Sequence, residues 1–170
     1  MQLSIRPWTE ADASVIAEAL NDAGVTDNLR DGLPTPYTEA DARDYIAFAQ
    51  TAGEGAYAFA IAEDGVAVGS IQLTRQQNIH RRTAELGYYV VRRRWGAGIC
   101  TEAVRQICRF AFENTDVLRI FAEPFAENAA SCRVLEKAGF QLEGVLRRNT
   151  VKNGQVRDMR LYSLVREDLE

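Results

Sequence analysis

The segment Arg92-Arg93-Arg94-Trp95-Gly96-Ala97-Gly98 holds the residue types and spacing in this 170-residue chain that point most directly to chemistry. Glycines two apart remove side chains from a tight turn and permit positive φ, so backbone N–H groups can approach a ligand closely. A helix beginning just beyond such a turn adds the positive end of its dipole, and the arginines add cationic charge; together these suit an anion such as a phosphate. A short Gly-x-Gly is also an ordinary turn, and an arginine run an ordinary solvated face. The spacing is neither G-x-G-x-x-G nor G-x-x-x-x-G-K-[ST], which argues against a Rossmann or P-loop site. Other chemistry-bearing residues are sparse. His80 is the only histidine and falls in a polar connection, read as surface. Cys100, Cys108 and Cys132 form no CxxC pair and are read as buried or half-buried thiols in a reducing compartment. With no histidine cluster or carboxylate motif, no metal site is expected.

The elements that must position the glycine turn can be followed along the chain. A strand at Leu3 to Pro7 precedes Thr9-Glu10-Ala11-Asp12, a capping-box start to a helix, and the pattern recurs at Thr38-Glu39-Ala40-Asp41. Gly24 to Tyr37, with Pro34 and Pro36, reads as a loop between the two helices. Ala56 to Ala62 and Val66 to Thr74 alternate around an Asp64-Gly65 turn as a hairpin, and Ala84 to Val91 gives a further strand. Helical spacing returns from about Ile99 to Phe112, followed by a buried strand at Leu118 to Phe125 and a short helix at Ala129 to Ala138, stopped by Gly139. Strands at about Phe140 to Val151 and Val156 to Val165 flank Lys152-Asn153-Gly154. The order β-α-α-β-β-β-α-β-α-β-β predicts an α/β (α+β) fold, one mixed twisted sheet of about seven strands with helices on both faces.

Length and composition fit one soluble domain spanning residues 1–170, with a core large enough to need no staples. The net charge of −4 conceals a net of −7 over residues 1–85 and +3 over residues 86–170, so an anionic ligand sits better on the second half. That half is too weakly basic for a nucleic-acid partner. No signal peptide opens the chain and no apolar run approaches the ~20 residues that span a bilayer, so a cytoplasmic location without membrane partners is expected. The exposed edge of an open sheet leaves room for a homodimer, though the sequence does not specify the oligomeric state.

The glycine turn resembles the cofactor motif of the GNAT superfamily of acetyltransferases, Gln/Arg-x-x-Gly-x-Gly/Ala between the fourth strand and the following helix. Arg93-Arg94-Trp95-Gly96-Ala97-Gly98 fills every position. The segment Asn128-Ala129-Ala130-Ser131-Cys132-Arg133-Val134-Leu135-Glu136-Lys137-Ala138-Gly139-Phe140 is similar to the more specific Asn-x-x-Ser-x-x-Val-Leu-Glu-Lys-x-Gly-Phe block of the branch holding ribosomal-protein N-terminal acetyltransferases. One helix and one strand separate the two motifs, as in the family.

The resemblance implies acetyl-CoA as co-substrate and no metal. It places pantetheine between splayed fourth and fifth strands, with Val90 and Val91 offering backbone groups. The N–H groups of Arg93, Arg94, Trp95, Gly96, Ala97, Gly98 and Ile99 then surround the pyrophosphate, and Asn128 and Ser131 meet the cofactor from the other side. A neutral amine attacks the thioester carbonyl directly, which needs a base, an oxyanion donor such as a backbone N–H near Val90, and a proton for the thiolate. An amine pKa near ~10 makes a base useful at neutral pH. Glu85 is the first candidate base, its other role being a strand-end carboxylate paired with Arg81 or Arg82; Glu123 is the second. Many superfamily members place a tyrosine just before the Glu-Lys pair as acid for the thiolate, but Leu135 stands there in this chain. Ser131 is the substitute, its other role being to cap the helix that begins near Ala129.

The acceptor is a protein N-terminus or a small amine. Trp8, Trp95 and most tyrosines read as core, whereas Tyr37, Asp27 and Asp31 in the long loop could border an amine pocket. The alternatives are a non-catalytic acyl-CoA-binding or sensing domain, which Leu135 leaves open, and more distantly a nucleotide-binding α/β protein.

Overall fold

A computed structural model describes residues 1–170. Its strands are β1 (Leu3–Arg6), β2 (Ala56–Glu63), β3 (Val66–Arg75), β4 (Thr83–Val90), β5 (Arg119–Ala122), β6 (Gln141–Lys152) and β7 (Gln155–Val165). Its helices are α1 (Ala13–Leu20), α2 (Ala23–Thr26), α3 (Glu39–Thr51), α4 (Ile99–Asn114) and α5 (Ala129–Lys137). The expected order holds with one addition, the single turn α2 at the head of the loop read as irregular. Asp22 starts it by accepting from the Gly24 N–H at 2.9 Å, a local side-chain cap inside a segment without helical periodicity. Both capping boxes form: Asp12 closes onto the Thr9 N–H, and Thr38 accepts from the Asp41 N–H at 3.1 Å.

The seven strands make one sheet in the order β1-β2-β3-β4-β5-β7-β6, antiparallel except between β4 and β5. One core packs α4 and α5 on the sheet through Val104, Ile107, Ala111 and Leu135 against Ile71, Leu86, Ile120 and Leu164. A smaller one gathers Trp8, Ile16, Ala42 and Ile46 of the first helical layer with Ala60 and Ala67. Tyr37, expected near an amine pocket, is 6% exposed inside this second core, because its backbone is pinned on both sides by the Asn21 amide.

The β4–β5 junction creates the gap. Thr83, Ala84 and Glu85 pair with Arg119, Ile120 and Phe121, and there the ladder stops. Pro124, which has no N–H to give a ladder, follows the end of β5, so this strand is shorter than the expected Leu118 to Phe125. On its other edge β4 stays paired with β3 up to Gly69↔Val90. The Val91 N–H donates to the Val68 carbonyl at 2.9 Å, in step with the Tyr89↔Ser70 and Gly87↔Gln72 pairs. By antiparallel alternation, the backbone groups of Tyr88 and Val90 point away from β3, into the gap.

Candidate functional site

A cleft of about 450 Å³ occupies this gap. Tyr88, Val90, Trp95, Gly96, Gly98, Ile99, Asn128 and Ser131 line it. Further along, Arg94 from the turn, Cys100 and Thr101 from α4, Arg133 and Lys137 from α5, and Asn28 and Leu29 from the segment after α2 are also part of the wall.

The floor is the turn between β4 and α4. Arg92, Arg93 and Arg94 form a short 3-10 turn, closed by Trp95 N donating to the Arg92 carbonyl at 3.1 Å. Gly96 and Gly98 then take φ of +78° and +76°, a left-handed conformation that a side chain with Cβ adopts only at a cost. No protein atom lies within 4 Å of where a Cβ at either glycine would sit, so both present bare backbone to open space. From Gly96 through Thr101 no backbone N–H donates to any carbonyl or side chain, and the first N–H so engaged is that of Glu102, to the Gly98 carbonyl. A continuous run of free donors therefore meets the positive end of a four-turn helix, which is what an anion needs.

The arginines behave differently from the expectation. Arg92 pairs with Asp22 (Nε–Oδ2 2.8 Å), Arg93 with Glu18 (2.9 Å) and Arg94 with Glu63 (Nε–Oε2 2.7 Å). The hydrogen bond from Arg92 holds the Asp22 carboxyl below the ordinary carboxylate range. The cationic run thus ties the turn to acidic residues of the first half of the chain. On the other wall of the cleft α5 presents Lys137, which has no carboxylate partner, and Arg133, four residues earlier, which pairs with Glu136 at 3.5 Å. Both are absent from the expected site because they sit inside the Asn128 to Phe140 block, where only the placement of α5 puts them on the cleft wall with Asn128 and Ser131.

Of the other expected residues, Val90 reaches the cleft and its carbonyl accepts from the Trp95 indole N–H at 2.8 Å, which leaves its N–H facing the gap. Val91 does not: it is fully buried and its N–H is spent on Val68. Ala97 and the Arg93 side chain also lie off the cleft wall.

Asn128 caps α5, its Oδ1 accepting from the Ser131 N–H at 3.2 Å, so Ser131 is not the cap. The Ser131 hydroxyl meets the Tyr88 hydroxyl at 2.7 Å across the cleft. Tyr88, expected in the core, thus lines the cleft; burial pushes its phenol well above the ordinary value, so it stays protonated. Only the fold brings β4 to the first turn of α5. Leu135 is fully buried in the large core.

At the splay point Glu85 is met by Arg30 at 3.4 Å. Arg82, expected as its partner, lies beside Asp116 instead, its Nε donating to the Asp116 carbonyl at 2.8 Å. Glu123 stands two residues beyond Phe121, the register partner of Glu85. Burial raises the Glu123 carboxyl above the ordinary range and Glu85 pushes it the same way, against Arg30. Neither carboxylate belongs to the cleft wall itself. Asp27 and Asp31 are committed elsewhere, to Asn153 at 3.2 Å and Lys152 at 2.7 Å, which ties the long loop to the β6–β7 turn. His80 is exposed, Cys108 and Cys132 are buried, and Cys100 is half-buried with its thiol pushed up to about 12 by burial, far from a nucleophile's range. No group of His, Cys, Asp and Glu has the arrangement of a metal site, and no helix is long and apolar enough to cross a membrane.

Among known proteins, the chain is 37% identical over 99 residues to the uncharacterised N-acetyltransferase YoaA of Bacillus subtilis (strain 168), covering 58% of this chain and 55% of that protein. The matched segment thus spans little more than half of that relative. It is 28% identical over 172 residues to the uncharacterised N-acetyltransferase p20 of Bacillus licheniformis, covering 98% of this chain and 94% of that protein. The structure of Mycobacterium smegmatis RimJ in complex with CoA-disulfide superimposes with a TM-score of 0.87 at 25% identity, covering 98% of this chain and 83% of that one. The pattern of the acetyltransferase (GNAT) domain matches residues 2–141, so the chain belongs to the GNAT acetyltransferase family.

Proposed function

We propose that this protein is an acetyl-CoA-dependent N-acetyltransferase that transfers acetyl to a primary amine, on a protein N-terminus or a small molecule, by direct attack on the thioester. The observation that carries this reading is the unbroken run of free N–H groups from Gly96 to Thr101, opening on a cleft between splayed strands. Such a site suits a ligand with a diphosphate at one end and an extended, amide-bearing arm at the other. The complex of RimJ, which shares the fold, with CoA-disulfide supports it.

In this assignment Gly96, Ala97, Gly98 and Ile99 hold the pyrophosphate through backbone donors, whereas the N–H groups of Arg94 and Trp95 are already spent on the Val91 and Arg92 carbonyls and those residues, with Arg93, shape the turn. Arg133 and Lys137 supply the side-chain charge. Val90 faces the arm and its free N–H is the oxyanion donor. Asn128 orients α5, and Ser131 donates to the departing sulfur. Glu85 and Glu123 form the basic end, and Glu123 is the better poised, because Glu85 already has Arg30 as counter-ion. The high thiol pKa of Cys100 favours direct transfer over an acyl-enzyme. Three free cysteines suit a cytoplasmic location.

The test is thiol release from acetyl-CoA with a panel of polyamines, amino sugars and N-terminal peptides. Steady turnover with any acceptor is expected. Tight CoA binding without turnover across the panel would instead establish the acyl-CoA sensor.

A further inference from the structure

The Ser131 hydroxyl has one protein partner, and it is Tyr88. Serine in the first turn of a helix ordinarily caps it or donates back to a carbonyl of the preceding turn. Here Asn128 does the capping, and the Ser131 hydroxyl makes no such backbone bond. Its oxygen lies 2.7 Å from the Tyr88 oxygen, where either hydroxyl can donate, and the Tyr88 O–H is also aimed at the Ser131 carbonyl, to which it donates across a longer 3.3 Å, so the phenolic proton is directed to the Ser131 side of the pair. Both residues line the cleft, one from β4 and one from α5.

We propose that Tyr88 is a positioning residue: by donating its phenolic proton to Ser131 Oγ, it turns the serine O–H into the cleft to stabilise the thiolate that leaves acetyl-CoA. The inference rests on the acetyltransferase reading and on the role given there to Ser131. A serine oxygen that accepts from a phenol has its own proton free and becomes a stronger donor, since chained hydrogen bonds polarise one another. The phenol is suited to that task because burial keeps it protonated, which equally excludes it as the acid that surrenders a proton. Protons balance without it. The C–S electron pair departs on sulfur, the nitrogen loses one proton as the amide forms, and the thiol regains one. The Tyr88–Ser131 pair contributes hydrogen bonds and no net proton. The same arrangement accounts for catalysis without a tyrosine at Leu135, where the side chain is locked in the core.

The experiment compares the parent protein with Tyr88→Phe, Ser131→Ala and the double variant, by two readouts. The first is the pKa of the thiol of bound CoA, followed by thiolate absorbance against pH, which needs no acceptor. The second is the single-turnover rate of acetyl transfer, with the KM for acetyl-CoA alongside. Tyr88→Phe is expected to raise the bound thiol pKa by about half to one unit and to slow transfer roughly three- to tenfold at unchanged KM, as for the loss of one hydrogen bond. The double variant is expected to match Ser131→Ala. A Tyr88→Phe variant with the parent thiol pKa and rate, beside a slowed Ser131→Ala, would overturn the positioning role and leave Ser131 in place. Parent values in Ser131→Ala would overturn the role of Ser131 and the proposal with it, and failure of CoA to bind the parent would overturn both together with the acetyltransferase reading. Losses in the two single variants that multiply in the double would show that Tyr88 acts apart from Ser131, which also rejects it.

Discussion

The indole N–H of Trp95 donates to the carbonyl of Val90 across 2.8 Å, so the last residue of β4 is bound to the turn that follows it. This contact fixes the angle at which the chain leaves the sheet and enters α4. It also occupies the Val90 carbonyl while leaving the Val90 N–H facing the cleft. Trp95→Phe keeps the ring and deletes the bond. The expected result is a stability loss of about 0.5–1.5 kcal/mol by denaturant unfolding, with weaker CoA binding in the folded protein by calorimetry.

Gly96→Val and Gly98→Val introduce a branched side chain at positive φ. Each is expected to cost about 1–3 kcal/mol from backbone strain alone, because no neighbouring atom stands in the way of the Cβ. CoA affinity is expected to fall by more than that stability loss explains, since the new side chain projects into the space in front of the free donors. Full affinity in a folded Gly96→Val variant would show that the turn is structural only.

The arginine pairs predict a reversal of the usual expectation for a basic cofactor motif. Arg93→Ala removes an exposed pair with Glu18 and is expected to change stability by less than about 1 kcal/mol, with CoA affinity near the parent value. Lys137→Ala is expected to weaken CoA binding about two- to fivefold, and the deficit is expected to shrink as salt is raised. Isothermal titration at two ionic strengths separates the two outcomes.

Glu123 supplies a pH signature. Its carboxyl is raised in the fold, so the native state binds this proton more tightly than the unfolded chain does. Stability from this group is therefore greatest at acid pH and falls as pH rises from the ordinary carboxylate value to the raised native one. Glu123→Gln is expected to match the parent at acid pH and to be more stable than it above that window. If Glu123 is the base, Glu85→Gln removes a like charge and the acid limb of the pH–rate profile moves to lower pH. If Glu85 is the base, that substitution abolishes the limb instead.

Leu135→Tyr tests whether the tyrosine common elsewhere in the superfamily can simply be restored. Leu135 is fully enclosed by the large core, so the larger side chain is expected to destabilise by about 1–3 kcal/mol. It is not expected to recover the turnover lost in Ser131→Ala. Thermal unfolding and acetyl transfer on the double variant check both statements.

Much of this protein was determined locally and was therefore legible in the sequence. Thr9 and Thr38 start their helices through side chains three residues away, the strands alternate, and Gly139 ends α5 with φ of +97°. Gly96 and Gly98 expose the turn through their own backbone conformation, so position in the chain sufficed to find it. What the tertiary structure alone decided is which side chains are free. Arg92, Arg93 and Arg94 face Asp22, Glu18 and Glu63, up to 75 residues away, so a run that reads as cationic is locally neutralised. Asp27 and Asp31 lose their availability to the β6–β7 turn in the same way, and Ser131 gains a partner in Tyr88 that lies 43 residues distant. Hydrogen-bond geometry and burial depend on what the fold brings within a few ångströms, and spacing along a chain does not encode that distance.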